Sequence, residues 1–298
     1  MPKKFIFPSS LLNLNLSLTL TLILALCFVT AGEARQIQLI EILKEQGWQS
    51  EELIEGVTWY SYLGSGYFDS EQSINVIEVI PEIAAVQLQF AWSDSVLIRT
   101  SDFAMQHDAI AAINGTFFNV ERGGLVVFFR VNGETITRGA VNRRLYSENG
   151  GIGISGSGEP YIMARPEEGW LSTDDETVMG SGPLLILNGE HKNLNNDPFN
   201  QNRHPRTAAG ITDDGRLLLV TVDGRASKAH GMSTPELRTF MEDLGAVSAL
   251  NLDGGGSTAM WIRDRGENGI VNYPSDNRQF DRRGERGVAN VLMLVPVD

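Results

Sequence analysis

Within Ala249–Met260 (ALNLDGGGSTAM) a strand-like run delivers one carboxylate, Asp253, into three consecutive glycines followed by Ser257 and Thr258. A carboxylate can act as a general base or stabilise developing positive charge. Three glycines in series are costly to order, and a chain keeps them where the backbone takes positive φ or closely approaches another group. The N–H groups of Gly254, Gly255 and Gly256 could then cradle an anion, with the Ser257 hydroxyl beside them. A tight turn between strands is the other reading of this stretch.

Charged partners for such a turn occur elsewhere. Arg206 precedes the strand pattern Ala208–Thr212, a turn follows at Asp213-Asp214-Gly215, and Arg216–Val222 leads to Asp223-Gly224-Arg225. In an antiparallel hairpin these two ends lie together, so Arg206, Asp223 and Arg225 are expected at one edge. Asn114 ends a short apolar strand at Ala109–Ile113, Asn251 lies two residues before Asp253 on the same strand face, and Arg286 stands at the entry to the last strand, Val288–Val295. Arginine's planar fork suits phosphate oxygens, and paired carboxylates suit acid–base hydrolysis. Each arginine alone reads as well as a surface ion pair. Together, at glycine-marked strand ends, they read as a site for a phosphate-bearing substrate.

Other chemistries fit less well. There is no GxSxG nucleophile elbow, and His107, His191, His204 and His230 show no HxxxH spacing for zinc. His204 and His230 flank the candidate segments and could assist proton transfer or be merely structural. Asp253 and Asn251 could give oxygen ligands to a divalent cation, Ca²⁺ or Mg²⁺, so metal dependence stays open.

The elements that must position these residues are mostly strands. At 298 residues, with 42% hydrophobic and 20% charged residues, the chain can bury a sizeable core. Period-two patterns at Val57–Tyr62, Ser73–Ile80, Ala85–Phe90 and Ser95–Arg99 predict strands, with a break at Pro81. Asn132-Gly133 between Leu125–Val131 and Glu134–Arg138 predicts a hairpin. Residues 149–158 and Val178–Leu187 read as further glycine-bordered strands. Helices are predicted at Ser101–Ala109, with Ser101 as N-cap, and at Ser233–Leu244, where Ser233 and Glu236 fit a capping box. Asn193–Asn202 reads as a surface loop or lid. The arginine-rich tract 263–287 reads as a solvated excursion with mostly surface charges. The fold class expected is α+β: β-rich mixed or antiparallel sheets with a few helices in one main domain.

Residues 1–34 stand apart. Lys3 and Lys4, an apolar run at Leu11–Val29 and small residues at Ala31, Gly32 and Ala34 have the layout of a signal peptide, with an uncleaved anchor as the alternative. Residues 36–46 read as a short amphipathic helix. Cleavage would remove Cys27, the one cysteine, and change the charge from −13 to about −14, since Lys3, Lys4 and Glu33 sum to +1. A secreted, periplasmic or cell-envelope location follows from that reading. Strong negative charge argues against nucleic acid or an anionic membrane as partner, leaving membrane contact only through an uncleaved N-terminal segment. An anionic substrate would then be drawn by local arginines against the overall field.

The segments 111–118 (AAINGTFF), 206–210 (RTAAG), 223–225 (DGR), 231–246 (GMSTPELRTFMEDLGA), 249–260 and 286–292 (RGVANVL) together resemble the phosphodiester glycosidase domain family, in its bacterial, exopolysaccharide-related branch. The resemblance covers about residues 80–297, dividing the chain into 1–34, an N-terminal helix and strands at 35–79, and the domain at 80–298. It implies hydrolysis of a sugar-1-phosphodiester of the N-acetylglucosamine type in a glycan or envelope polymer. It also implies a pocket lined by Asn114, Arg206, Asp223, Asp253 and the glycine loop. Arg206 and Arg225 would hold the phosphate, Asp253 would act on water or on the oxocarbenium-like transition state, and Asp223 would position water or Arg225. A non-catalytic glycan-binding or exopolysaccharide accessory protein is the alternative.

Overall fold

A computed structural model describes residues 47–139, 148–266 and 268–297. The signal segment 1–34, Cys27 and the helix expected at 36–46 lie outside the described residues. Among those described, no helix is long and apolar enough to cross a membrane.

The chain opens with three successive antiparallel strands, β1 (Gln49–Ile54), β2 (Val57–Tyr67) and β3 (Ser70–Val79). Next come β4 (Val86–Trp92), the two-residue β5 (Ile98–Arg99), helix α1 (Thr100–Gln106) and β6 (Ala111–Asn114). The middle holds β7 (Phe128–Val131), β8 (Glu134–Arg138), β9 (Gly150–Ile154), β10 (Pro160–Ala164) and β11 (Thr177–Ser181), followed by β12 (Leu184–Leu187) and β13 (Glu190–His191). One turn of helix, α2 (Pro198–Gln201), precedes β14 (Arg206–Thr212) and β15 (Leu217–Val222). The last third runs through α3 (Thr234–Asp243), β16 (Ala246–Asn251), β17 (Met260–Ile262), β18 (Gly287–Val288) and β19 (Asn290–Pro296).

These strands make an eight-stranded sheet in the order β1-β2-β3-β15-β14-β16-β12-β13, a five-stranded sheet β10-β9-β11-β7-β8 and a four-stranded sheet β17-β6-β19-β4, with β5 and β18 paired separately. Every strand pairing described is antiparallel, in keeping with the β-rich α+β class expected. One core cluster draws side chains from all three larger sheets, including Ile77 and Leu219, Ile152 and Met179, and Ile113 and Leu292. The boundary drawn at residue 80 falls at the end of β3, which pairs with β15 from Ile74 to Val79, inside the largest sheet.

Local signals place most of these elements. Asn132 and Gly133 take φ of 50° and 78°, as a tight primed turn requires, and join β7 to β8. The Ser233–Glu236 capping box starts α3, whose Leu237, Phe240 and Met241 face the core. Three expectations are corrected. Val178–Leu187 is two strands in different sheets, separated at Gly182-Pro183. Ser95–Arg99 contributes only Ile98 and Arg99. Ser101 is not an N-cap: α1 begins after Arg99, and the Ser101 backbone N–H and hydroxyl both donate to the carboxylate of Glu285, at 2.8 and 2.7 Å. A carboxylate from the far end of the chain thus does the work of a local cap.

Candidate active site

Strand β16 runs between β14 and β12 and delivers its end to a crowded junction. Just beyond it, the Leu252 N–H donates to the Thr207 carbonyl (2.8 Å) and the Asp253 N–H to the Gly115 carbonyl (3.0 Å). The chain then tightens into a 3-10 turn at Gly255–Ser257. Each glycine makes room for a different neighbour. A Cβ on Gly254 would sit 2.6 Å from the Pro205 carbonyl oxygen, and one on Gly255 2.9 Å from an Nη of Arg225. One on Gly256 would fall 2.5 Å from Arg286 and 2.6 Å from Asp276. Gly255 also takes φ +63°, where a side chain is strained.

Two of the three glycine N–H groups expected to cradle an anion, those of Gly254 and Gly255, are used within the fold instead. Gly255 donates to Pro205, Ser257 to Gly254 and Thr258 to Gly255, at 2.9, 3.2 and 3.4 Å. The N–H of Gly254 serves the Asp253 carboxylate. The turn's contribution is space: its missing side chains let two guanidinium groups close on the backbone.

Asn114 holds this turn from behind. Fully buried at the end of β6, its Nδ2 donates to the Asp253 carbonyl (2.7 Å). Its Oδ1 accepts from the Thr207 hydroxyl (2.7 Å) and from the Ala259 N–H (3.1 Å). Asn290 repeats the device on the neighbouring strand β19, accepting from the Thr116 N–H (2.7 Å) and donating to its carbonyl (3.1 Å). Because Asn290 Oδ1 occupies the space a Cβ would need, residue 115 must be glycine.

The β14–β15 hairpin places Arg206 opposite Val222, next to Asp223, as its pattern requires. Neither side chain faces solvent. Arg206 is 1% exposed, with Nε donating to the Met232 carbonyl (2.9 Å) and Nη2 to those of Phe199 (2.6 Å) and Asn202 (3.1 Å). The Phe199 ring lies 4.8 Å from its Cζ. Burial lowers the pKa of this guanidinium to about 10, which still leaves it charged at neutral pH. Arg206 therefore ties α2 and the 202–205 segment to the hairpin from within.

Asp223 is likewise 1% exposed and accepts from Ser73 Oγ (2.6 Å), Asn272 Nδ2 (2.8 Å) and the Tyr273 N–H (2.9 Å). Burial raises its pKa to about 6 despite those donors. Asn251, expected on the same face as Asp253, turns inward instead: it is fully buried and its Nδ2 donates to the Gly182 and Leu252 carbonyls. The strand ends at Asn251, so the two-residue alternation no longer holds at Asp253.

What remains at the accessible face is Asp253, Arg225 and Arg286. Asp253 is half-buried, accepts from the Ser257 hydroxyl, and has its pKa raised by burial to about 6, against the opposing charge of Arg286. Arg286 pairs with Asp276, its Nε donating to Oδ1 at 2.8 Å, and its Nη1 lies 3.5 Å from Ser257 Oγ. Arg225 is exposed, holds φ +63° and rests its guanidinium over Gly255. His204 lies near Arg206 and Arg225, and burial plus those two charges lower its pKa. His230 is on the surface with Nδ1 2.8 Å from Ser70 Oγ.

The tract 263–287 is the largest departure from expectation. Ile270, Val271, Asn272 and Ser275 are buried, so the stretch 269–275 is a wall of the site, not a solvated excursion. Asn272 links Asp223 to the far end of the glycine turn, donating also to the Thr258 carbonyl (3.2 Å) and accepting from the Met260 N–H (2.8 Å). Ser73, Thr207, Asn272 and Asp276 belong to the site and were not singled out in the sequence. The apolar Ile270-Val271 pair before Asn272 was the available signal. Among the described residues no group of three or more His, Cys, Asp or Glu is placed to hold a metal ion, and Asn251 is turned away from Asp253. A separate cleft of about 990 Å³, lined by Trp92, Tyr161, Asp174 and Glu176 among others, shares no residue with the turn.

Half-buried carboxylate, glycine turn and two guanidinium groups together suit an anionic group held beside a base. The sequence profile of the phosphodiester glycosidase family matches residues 107–295. A prophage-derived uncharacterized protein of Bacillus subtilis is 31% identical over 106 residues, covering 30% of this chain and 16% of its own. N-acetylglucosamine-1-phosphodiester alpha-N-acetylglucosaminidase of Bos taurus is 31% identical over 204 residues, 61% of this chain and 36% of that enzyme. The chain thus matches well under half the length of these curated relatives. Among solved structures, the catalytic domain of the zebrafish enzyme of that name, auto-inhibited by its pro-peptide, superposes with a TM-score of 0.63 at 20% identity, over 83% of each chain, and so shares the fold.

Proposed function

From the premise that this chain belongs to the phosphodiester glycosidase family, we propose that it hydrolyses the bond between a sugar's anomeric carbon and the phosphate of a sugar-1-phosphodiester. The observation that carries the reading is Asp253 at the glycine turn. A half-buried carboxylate of raised proton affinity stands beside a backbone stripped of side chains, with Arg225 and Arg286 packed where those side chains would be.

Arg225 and Arg286 hold the phosphate and stabilise it as leaving group, the second with its planar donors held beforehand by Asp276. Phosphate leaves readily, so a strong general acid is less needed than in ordinary glycosidases. Asp253, ionised above about pH 6, acts as the base on water or stabilises the oxocarbenium-like carbon. Asp223 and Arg206, both enclosed, act as positioning residues: the first organises the 272–273 wall, the second the 199–205 segment. We place the activity in an N-acetylglucosamine-bearing glycan outside the cytoplasm, on the strength of the enzymes this chain resembles and of the signal-peptide layout of residues 1–34.

The test is to incubate the full chain with UDP-N-acetylglucosamine and other sugar-1-phosphodiesters and assay for free sugar. Release by the wild type, reduced roughly 10²–10⁴-fold in Asp253→Asn, is the expected result. No release from any of them would overturn the enzymatic reading in favour of a glycan-binding one.

A further inference from the structure

Two cations near the glycine turn are left unused by the reading above. Asp223 leads into a tight turn in which Ala226 and Ala229 pair, placing Lys228 at its tip, three residues beyond Arg225. Lys228 Nζ lies 6.0 Å from the centre of the Phe280 ring. Phe280 stacks on Tyr273 with ring centres 4.0 Å apart and planes 15° apart. Arg282 Cζ in turn lies 5.5 Å from the Tyr273 ring. Two cations are thus mounted on a pair of stacked rings, an arrangement that holds a charge in place without neutralising it.

The wall that carries this stack is fastened to the site. The Tyr273 N–H donates to Asp223, Ser275 Oγ lies 3.5 Å from the Gly255 carbonyl, and Asp276 pairs with Arg286. Lys228 and Arg282 are exposed, and among the described residues neither has a carboxylate within ion-pair distance, unlike Arg203, Arg216, Arg263, Arg265 and Arg286. In a chain of net charge −13, unpaired cations gathered beside one carboxylate-and-arginine site are a local reversal of the field.

We propose that Lys228 and Arg282 form a second anion subsite beside the one at the glycine turn, so that the leaving portion of the substrate carries a further phosphate. This rests on the phosphate reading of the Arg225–Arg286 site and extends it: the preferred substrate is a diphosphate or a phosphate-repeating chain, not an isolated monophosphodiester.

The experiment is calorimetric titration of the full chain with inorganic phosphate, pyrophosphate and tripolyphosphate at fixed ionic strength. Pyrophosphate or tripolyphosphate is expected to bind at least about tenfold more tightly than phosphate, a margin measured apart from bulk screening. Lys228→Gln combined with Arg282→Gln should bring that ratio close to one and leave phosphate affinity unchanged. Arg225→Gln should weaken all three anions together. A gain with pyrophosphate indicates adjacent phosphates, and a gain with tripolyphosphate alone indicates a spaced second charge. If phosphate binds but the longer anions gain nothing, or if the double variant leaves the ratio intact, the second subsite falls while the first stands. If no anion binds, both fall. A purely structural role for the stack would lower the unfolding temperature of the double variant without moving the ratio.

Discussion

Asn114 donates to the backbone carbonyl of Asp253 at 2.7 Å, across 139 residues of sequence. The bond joins the end of β6 to the residue that opens the glycine turn, and Asn114 Oδ1 closes on the Ala259 N–H at the turn's other side. One buried amide therefore fixes both ends of the segment that presents the carboxylate. Asn114→Ala would leave the Asp253 carbonyl, the Ala259 N–H and the Thr207 hydroxyl without this partner in a dry setting. Each such loss costs about 1–3 kcal/mol, so a total of at least about 3 kcal/mol is expected. Urea unfolding should show the midpoint fall with its slope unchanged, and an unmoved midpoint would refute the stapling role.

The pH dependence of hydrolysis should report Asp253. Its pKa is raised to about 6 by burial, with Ser257 and Arg286 opposing the rise. As a base it works ionised, so kcat/KM should climb with pH along an acid limb centred near pH 6. Removing an opposing influence moves the limb further up: Arg286→Gln and Ser257→Ala should each shift it to higher pH. A limb near pH 4, or one that stays put in both variants, would reassign the titrating group.

Asp223 should instead be visible in stability. Its pKa is about 6 in the fold against 3.8 for the ordinary carboxyl, so the folded state binds its proton more tightly. That contribution is fully present below about pH 4 and is lost as pH rises through 6, on the order of 2–3 kcal/mol at most. Asp223→Asn keeps an oxygen for Asn272 and Tyr273 and removes the titration. The difference in unfolding free energy between wild type and Asp223→Asn should therefore swing in the variant's favour by that amount between pH 4 and pH 7. A difference independent of pH would mean that the carboxyl titrates alike in both states.

These contrasts show where the sequence was legible. Period-two runs and the Asn132-Gly133 turn announced strands because side-chain alternation and positive φ leave marks on local residue choice. The β14–β15 hairpin was enough to set Arg206 beside Asp223. What each side chain then does depends on contacts distant in sequence. Arg206 is spent on three backbone carbonyls, Asn251 turns to Gly182, and Asn272 comes from a tract whose arginines disguise a buried stretch. Polar residues that satisfy backbone groups look, in one dimension, like polar residues that bind ligands. In the sequence the glycines look like anion-binding amides because the groups they make room for, Pro205, Arg225 and Arg286, are up to 49 residues away and unmarked by any local pattern.

Alanine at each of the three glycines separates space for the fold from space for the chemistry. At Gly254 the obstacle is the Pro205 carbonyl, a backbone atom that also accepts the Gly255 N–H, so relief requires moving the chain. At Gly255 the φ of +63° adds a left-handed penalty of about 1–2 kcal/mol before Arg225 is displaced. At Gly256 the obstacles are the ends of Arg286 and Asp276, side chains that can swing out together at little cost to the fold. Stability should accordingly fall by about 1–3 kcal/mol in Gly254→Ala and Gly255→Ala and by less than about 1 kcal/mol in Gly256→Ala. Phosphate affinity should fall in Gly256→Ala all the same, because its added methyl group evicts Arg286 from the turn. Thermal unfolding and phosphate titration on the same three variants check this. A Gly256→Ala protein that folds and binds phosphate like the wild type would take Arg286 out of the site.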